Sequence, residues 1–169
     1  MLTLERAHEL LATTTTEPHL ILHAKNVMYA MGGLAKHFGA DVDHWKAIGY
    51  LHDYDYQQHP EEHLDHTAGP LKEAGLTDEE IRAILSHGYT LRNDVEPKEN
   101  IEKSLFTVDE LTGIIQAAAR MRPRGITDME ISSFMKIYNT FFFHSGQFSG
   151  KGAALHTQKV CHKSSVKIY

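Results

Sequence analysis

Apolar residues recur three and four positions apart along most of this 169-residue chain, and strict alternation of apolar with polar residues is nearly absent. The first spacing lines one face of a helix and the second one face of a strand, so the chain is expected to be all-α. A helix is expected from about Glu17 to Phe38, with Val27, Ala30, Met31, Leu34 and Phe38 as its apolar stripe and Gly39 as its stop. His23 falls on that stripe and faces inward. A second helix is expected to begin near Asp43, a suitable N-cap, with Trp45, Ile48, Gly49 and His52 on one face.

The stretch Asp55 to Asp65 is polar, contains Pro60 and reads as a loop bordering a site. Thr67 is expected to cap a short helix reaching Ala74, with Pro70 in its first turn and Gly75 as its stop. Thr77-Asp78-Glu79-Glu80 has the form of a capping box and starts a helix with Ile81 and Ile84 inside and His87 near its C-terminal end. A long helix over about Glu99 to Ala119 buries Ile101, Leu105, Val108, Thr112 and Ile115, with Asp109 at the edge of that stripe. After a connection carrying Arg120, Arg122, Pro123 and Arg124, a further helix is expected over Ile126 to Tyr138. Past Tyr138 the Phe141-Phe142-Phe143 run gives way to a Gly, Ser, Lys and His mixture without periodicity.

The length suits one domain with a real core. A net charge of -5 supplies no basic surface for duplex nucleic acid. Cys161 is the sole cysteine, which excludes an internal disulfide and any thiolate-rich zinc module, so a metal would have to use imidazole and carboxylate. Met1 to Ala12 mixes Glu5, Arg6, His8 and Glu9 with its apolar residues, unlike a signal peptide or a membrane span. The expectation is a soluble cytoplasmic protein without a membrane partner; its oligomeric state is open.

The chain has 13 histidines, and one group stands out: His23, the adjacent pair His52-Asp53, His66, His87 and Asp109. Imidazole with carboxylate is the donor set of a centre for Fe, Mn, Zn or Ni, suited to metal-assisted hydrolysis. His19 and His23, four apart, would make an alternative pair, but Leu20 stands where a zinc protease helix carries Glu. The order His23, then His52-Asp53 within Ala47-Ile48-Gly49-Tyr50-Leu51-His52-Asp53, then Asp109 within Thr107-Val108-Asp109-Glu110-Leu111-Thr112-Gly113, resembles the HD-domain metal-dependent phosphohydrolase superfamily. The likeness covers roughly Leu20 to Tyr138 and is greatest to small stand-alone HD-domain hydrolases.

That resemblance implies an HD-type helical bundle over residues 1–138, its core within 20–120, a metal site at its centre and a divergent tail over 139–169. It implies that His23, His52, Asp53 and Asp109 bind one ion. It also implies that two further histidines, His66 in His66-Thr67-Ala68-Gly69 and His87 in Ile84-Leu85-Ser86-His87, hold a second ion bridged by Asp53. His63 and His59 compete for the role given to His66. One or two divalent ions are expected, Fe or Mn favoured, with Zn, Ni, Co or Mg admitted. Paired cations bind a phosphoryl group, lower the pKa of water and stabilise the departing oxygen, which suits cleavage of a phosphate ester or anhydride. Asp53 is then the central catalytic residue, and Arg122 is the candidate phosphate ligand, with Arg120, Arg124 and Lys98 as alternatives. Glu110 is a candidate proton carrier beside Asp109. The expected substrate is a small phosphorylated molecule such as a nucleotide or dinucleotide. A metal- or nucleotide-binding domain without turnover and a diiron HD-type oxygenase are the competing functions.

Overall fold

A computed structural model describes the backbone of residues 1–144 and the side chains of residues 1–140. Among the described residues the protein is all-α, with seven α-helices and no strand. The helices are α1 (Leu4–Ala12), α2 (Pro18–Phe38), α3 (Val42–Leu51), α4 (Ala68–Glu73), α5 (Asp78–Leu85), α6 (Asn100–Arg120) and α7 (Ile131–His144). None is long and apolar enough to cross a membrane. The chain divides into two compact units, Met1–Gly113 and Ile114–Tyr169, with α6 contributing to both; the division expected after residue 138 falls inside the second.

In the first unit the local chemistry sets the helix ends. Pro18 begins α2, and Gly39 ends it at φ +65°, a left-handed turn that costs a glycine little. Asp41, rather than the expected Asp43, caps α3 by accepting from the His44 amide at 2.9 Å, while Asp43 adds negative charge to the first turn. The capping box of α5 is complete, since the Thr77 hydroxyl accepts from the Glu80 amide and the Glu80 carboxylate accepts from the Thr77 amide. Thr67 does occupy the N-cap of α4, although its hydroxyl makes no capping bond. The buried Glu102 organises the start of α6: one oxygen accepts from the Lys98 and Glu99 amides and the other pairs with Arg82 at 3.0 Å.

α1 carries no expectation from the sequence. Thr3 caps it, and it packs Ala7, Leu10 and Leu11 toward α3, with His8 stacked on Tyr50 at 4.0 Å. α2 lies against α3, and Gly49 permits the close approach: a Cβ there would come within 2.8 Å of Met31 Cγ and 3.3 Å of the Val27 carbonyl oxygen. Leu11, Val27, Met31, Ile48, Leu51, Leu71, Ile84 and Leu105 are fully buried in one core. Several stripe residues depart from expectation: Phe38 is exposed, and Ala30, Leu34, Ile101 and Ile115 are only partly buried.

In the second unit, the expected helix over Ile126 to Tyr138 starts later. Gly125–Asp128 forms a short 3-10 turn, and α7 begins at Ile131. Arg122 takes the Asp128 carbonyl and the Ser133 hydroxyl, so that carbonyl is spent on a side chain instead of a continuing helix. Most of the expected tail over 139–169 lies outside the described residues.

Candidate metal centre

Five segments of the first unit deliver six side chains to one place. His23 comes from the middle of α2, His52 and Asp53 from the end of α3, His63 from the turns that follow, His87 from the 3-10 turn after α5, and Asp109 from α6. His23 Nε2 lies 2.9 Å from Asp109 Oδ1, 3.2 Å from His52 Nε2 and 3.6 Å from Asp53 Oδ2. His52 Nε2 lies 3.2 Å from Asp53 Oδ2 and 3.3 Å from Asp109 Oδ1. A second histidine pair faces the other Asp53 oxygen: His63 Nε2 is 3.3 Å and His87 Nε2 3.7 Å from Asp53 Oδ1, and the two nitrogens are 3.1 Å apart.

The opposite side of three of these rings is already committed. Nδ1 of His52 lies 2.9 Å from the Gly49 carbonyl, Nδ1 of His87 lies 2.6 Å from the Ile84 carbonyl, and Nδ1 of His63 lies 2.8 Å from Asp55 Oδ1. Each of these oxygens accepts, so each Nδ1 carries the proton and each neutral ring turns an Nε2 lone pair inward. The His63 and His87 lone pairs, 3.1 Å apart beside the Asp53 carboxylate, repel unless a positive charge lies between them. The donor chemistry therefore fits divalent cations, and the Nδ1 partners are of the kind that orient metal-bound histidine. His52 and His87 also follow the C-terminal ends of α3 and α5, the negative poles of those helices.

The electrostatics follow from this crowding. Burial works to lower the pKa of His52, but the Asp53 and Asp109 carboxylates outweigh it and hold it well above the ordinary value. His63 is likewise pulled up to about 9, burial being overcome by its bonds to Asp53 and Asp55. Burial opposes the charged form of Asp53 and Asp109 as well, yet the adjacent histidines, His52 foremost, keep both carboxyls well below the usual range. For His87 burial wins, assisted by the charge of His52, and its pKa falls. Protons thus take up the positive charge that a cation would supply. The Asp53 and Asp109 side chains retain 19% and 23% exposure, so solvent reaches the centre.

Of the residues the sequence singled out, His23, His52, Asp53, His87 and Asp109 meet here. His66 does not: it is exposed, 2.8 Å from Glu62 and stacked on His59 at 3.9 Å, and the buried His63 occupies the place expected for it. The reason is Asp55, fully buried, whose Oδ2 accepts from the Leu64 and His66 amides while Oδ1 takes His63. With Leu64 at φ +78°, this turn points His63 inward and His66 out. Asp55 escaped sequence reasoning; its one signal was an acid two residues beyond Asp53 in a stretch read as loop. Gly88 completes the fit, since a Cβ there would collide with the Leu64 side chain. His19 is exposed near Glu17, Lys98 is exposed, and Glu110 is exposed on α6. Arg120, Arg122 and Arg124 belong to the second unit. No protein-family model, curated protein or solved structure matches this chain.

Proposed function

We propose that the first unit is an HD-type metal-dependent phosphohydrolase that binds two divalent ions, one on His23, His52 and Asp109 and one on His63 and His87, with Asp53 serving both. The observation that carries this reading is four histidine Nε2 atoms directed at two carboxylates, three of the rings locked by Nδ1 partners that leave a lone pair facing inward. Fe or Mn suits the set best, and Zn, Ni, Co or Mg is admitted. The ions would supply Lewis acidity toward a phosphoryl oxygen and toward the attacking water. Asp53 presents one oxygen to each histidine pair and so fixes their separation. Its partial exposure, with that of Asp109, leaves a way in for substrate. The substrate class is a small phosphate ester or anhydride, such as a nucleotide or dinucleotide.

The test is metal per chain by elemental analysis on untagged protein purified without chelator, followed by a phosphate-release screen, with Asp53→Ala alongside. The expected result is close to two ions, metal-dependent phosphate release, and loss of both in the variant. Unchanged metal and rate in Asp53→Ala would sink the reading. Metal without phosphate release, accompanied by oxygen consumption or tight nucleotide binding, would replace it with the oxygenase or the sensor.

A further inference from the structure

The segment that turns His63 inward carries a second set of donors on its outer side. His59, Glu62 and His66 each offer one ligand atom, and the three atoms lie within 4.8 Å of one another. The His59 and His66 rings stack at 3.9 Å and 28°, and His66 Nε2 lies 2.8 Å from Glu62 Oε2. We propose that His59, Glu62 and His66 form a separate, exposed site for a borderline divalent cation of the Zn2+ or Cu2+ kind, outside the centre built on Asp53.

Three arguments support the assignment. The first is chemical: two imidazoles and one carboxylate make a donor set that zinc accepts while keeping an open position, and N-rich sites favour Cu2+, Ni2+ and Zn2+ over Mg2+ and Ca2+. The second is distance. Donors bound to one ion at about 2.0–2.2 Å lie within roughly 4.4 Å of each other, so side chains already inside 4.8 Å need only a small rotation, which the half-buried His59 and the exposed His66 can make. The third is preorganisation of the backbone. The His59 amide donates to the Asp55 carbonyl at 2.9 Å, the Glu62 amide to the His59 carbonyl at 3.1 Å, and the His66 amide to Asp55 Oδ2 at 3.2 Å. Arg92 adds a bond to the Glu61 carbonyl at 3.1 Å. An exposed Glu62–His66 pair contributes little stability alone, and it leaves the face-to-face placement of His59 without a role.

A cation held there would join the two ends of the stretch that presents His63. The ion would brace that stretch from outside while using none of the ligands inside.

The experiment is a Zn2+ titration against a chromophoric chelator, on the protein as purified and on Asp53→Ala, with excess Mg2+ present. One equivalent of Zn2+ that depends on His59 and His66 is expected in both proteins, beyond any Zn2+ taken up by the inner centre. His59→Gln and His66→Gln should each weaken that equivalent about tenfold or more, a direct ligand mattering no less than its supports. Both substitutions are on the surface and should leave the circular dichroism and the inner metal content unchanged. Cu2+ in place of Zn2+ should show two-nitrogen hyperfine structure in its electron paramagnetic resonance spectrum, lost in the double variant. Retention of the extra equivalent by the double variant, or its loss from Asp53→Ala, would overturn the proposal, as would loss of inner metal from the double variant.

Discussion

Asp55 decides which histidine of its segment faces inward. Its two oxygens hold a ring nitrogen and two backbone amides, all out of water, and an amide in its place can accept at one atom only. Asp55→Asn is expected to lower inner metal affinity about 10–100-fold, as supports of metal-bound histidine do, and to destabilise the fold by about 1–3 kcal/mol through unsatisfied buried donors. Chelator competition and denaturant unfolding measure the two effects separately. The inward direction of His52 was legible in the sequence because a helical face fixes it, whereas Asp53 entered through the family likeness of the His-Asp pair. The choice between His63 and His66 was not, because it depends on a turn closed by a side chain eight residues before His63 and on a positive φ at Leu64. The glycine three residues after His66 favoured that residue through the family likeness, and spacing alone could not decide between it and its competitors His63 and His59.

Helices position the remaining candidate ligands, and α2 comes close to α3 at Gly49. Gly49→Ala would push a methyl group against Met31 and the Val27 carbonyl, one turn from His23 and just before His52. The expected cost is about 1–3 kcal/mol of overpacking, with lower metal occupancy than wild type at equal free ion, read by thermal unfolding and elemental analysis. α2, α5 and α6 could be located from the sequence because their stripes and ends are local: Gly39 for the first, the Thr77–Glu80 box for the second. α1 was not, since its nine residues hold only a short stripe whose value comes from lying on α3. The start of α7 was misplaced because Arg122 claims the Asp128 carbonyl from outside that helix.

For the whole molecule, the charges of the centre predict how stability depends on pH. His52 and His63 have raised pKa values in the folded state, His63 to about 9, whereas an unfolded histidine titrates near about 6.5. Their stabilisation of the metal-free protein is complete below about 6.5 and is lost as pH rises toward about 9. Asp53 and Asp109 have lowered values, so their contribution is present above about 4 and fades as pH falls below that. The contributions of these four groups therefore coincide between about pH 4 and 6.5, and the lowered pKa of His87 works against them below about 6.5. Bound cations compete with those same protons and act in the opposite sense. The difference in Tm between metal-loaded and chelated protein should widen from pH 5.5 to pH 9 in a scanning fluorimetry series; a difference that is constant or shrinks with pH would contradict the shared role of protons and ions. The ligands are also nested along the chain, His63 and His87 falling between His52 and Asp109. During synthesis, a growing chain has Asp53, His63 and His87 all in place once His87 has emerged, while the group of His23, His52 and Asp109 waits for Asp109. The order of translation thus gives the two halves of the centre a sequence in time, the Asp53 oxygen facing His63 and His87 being the first to find all its partners.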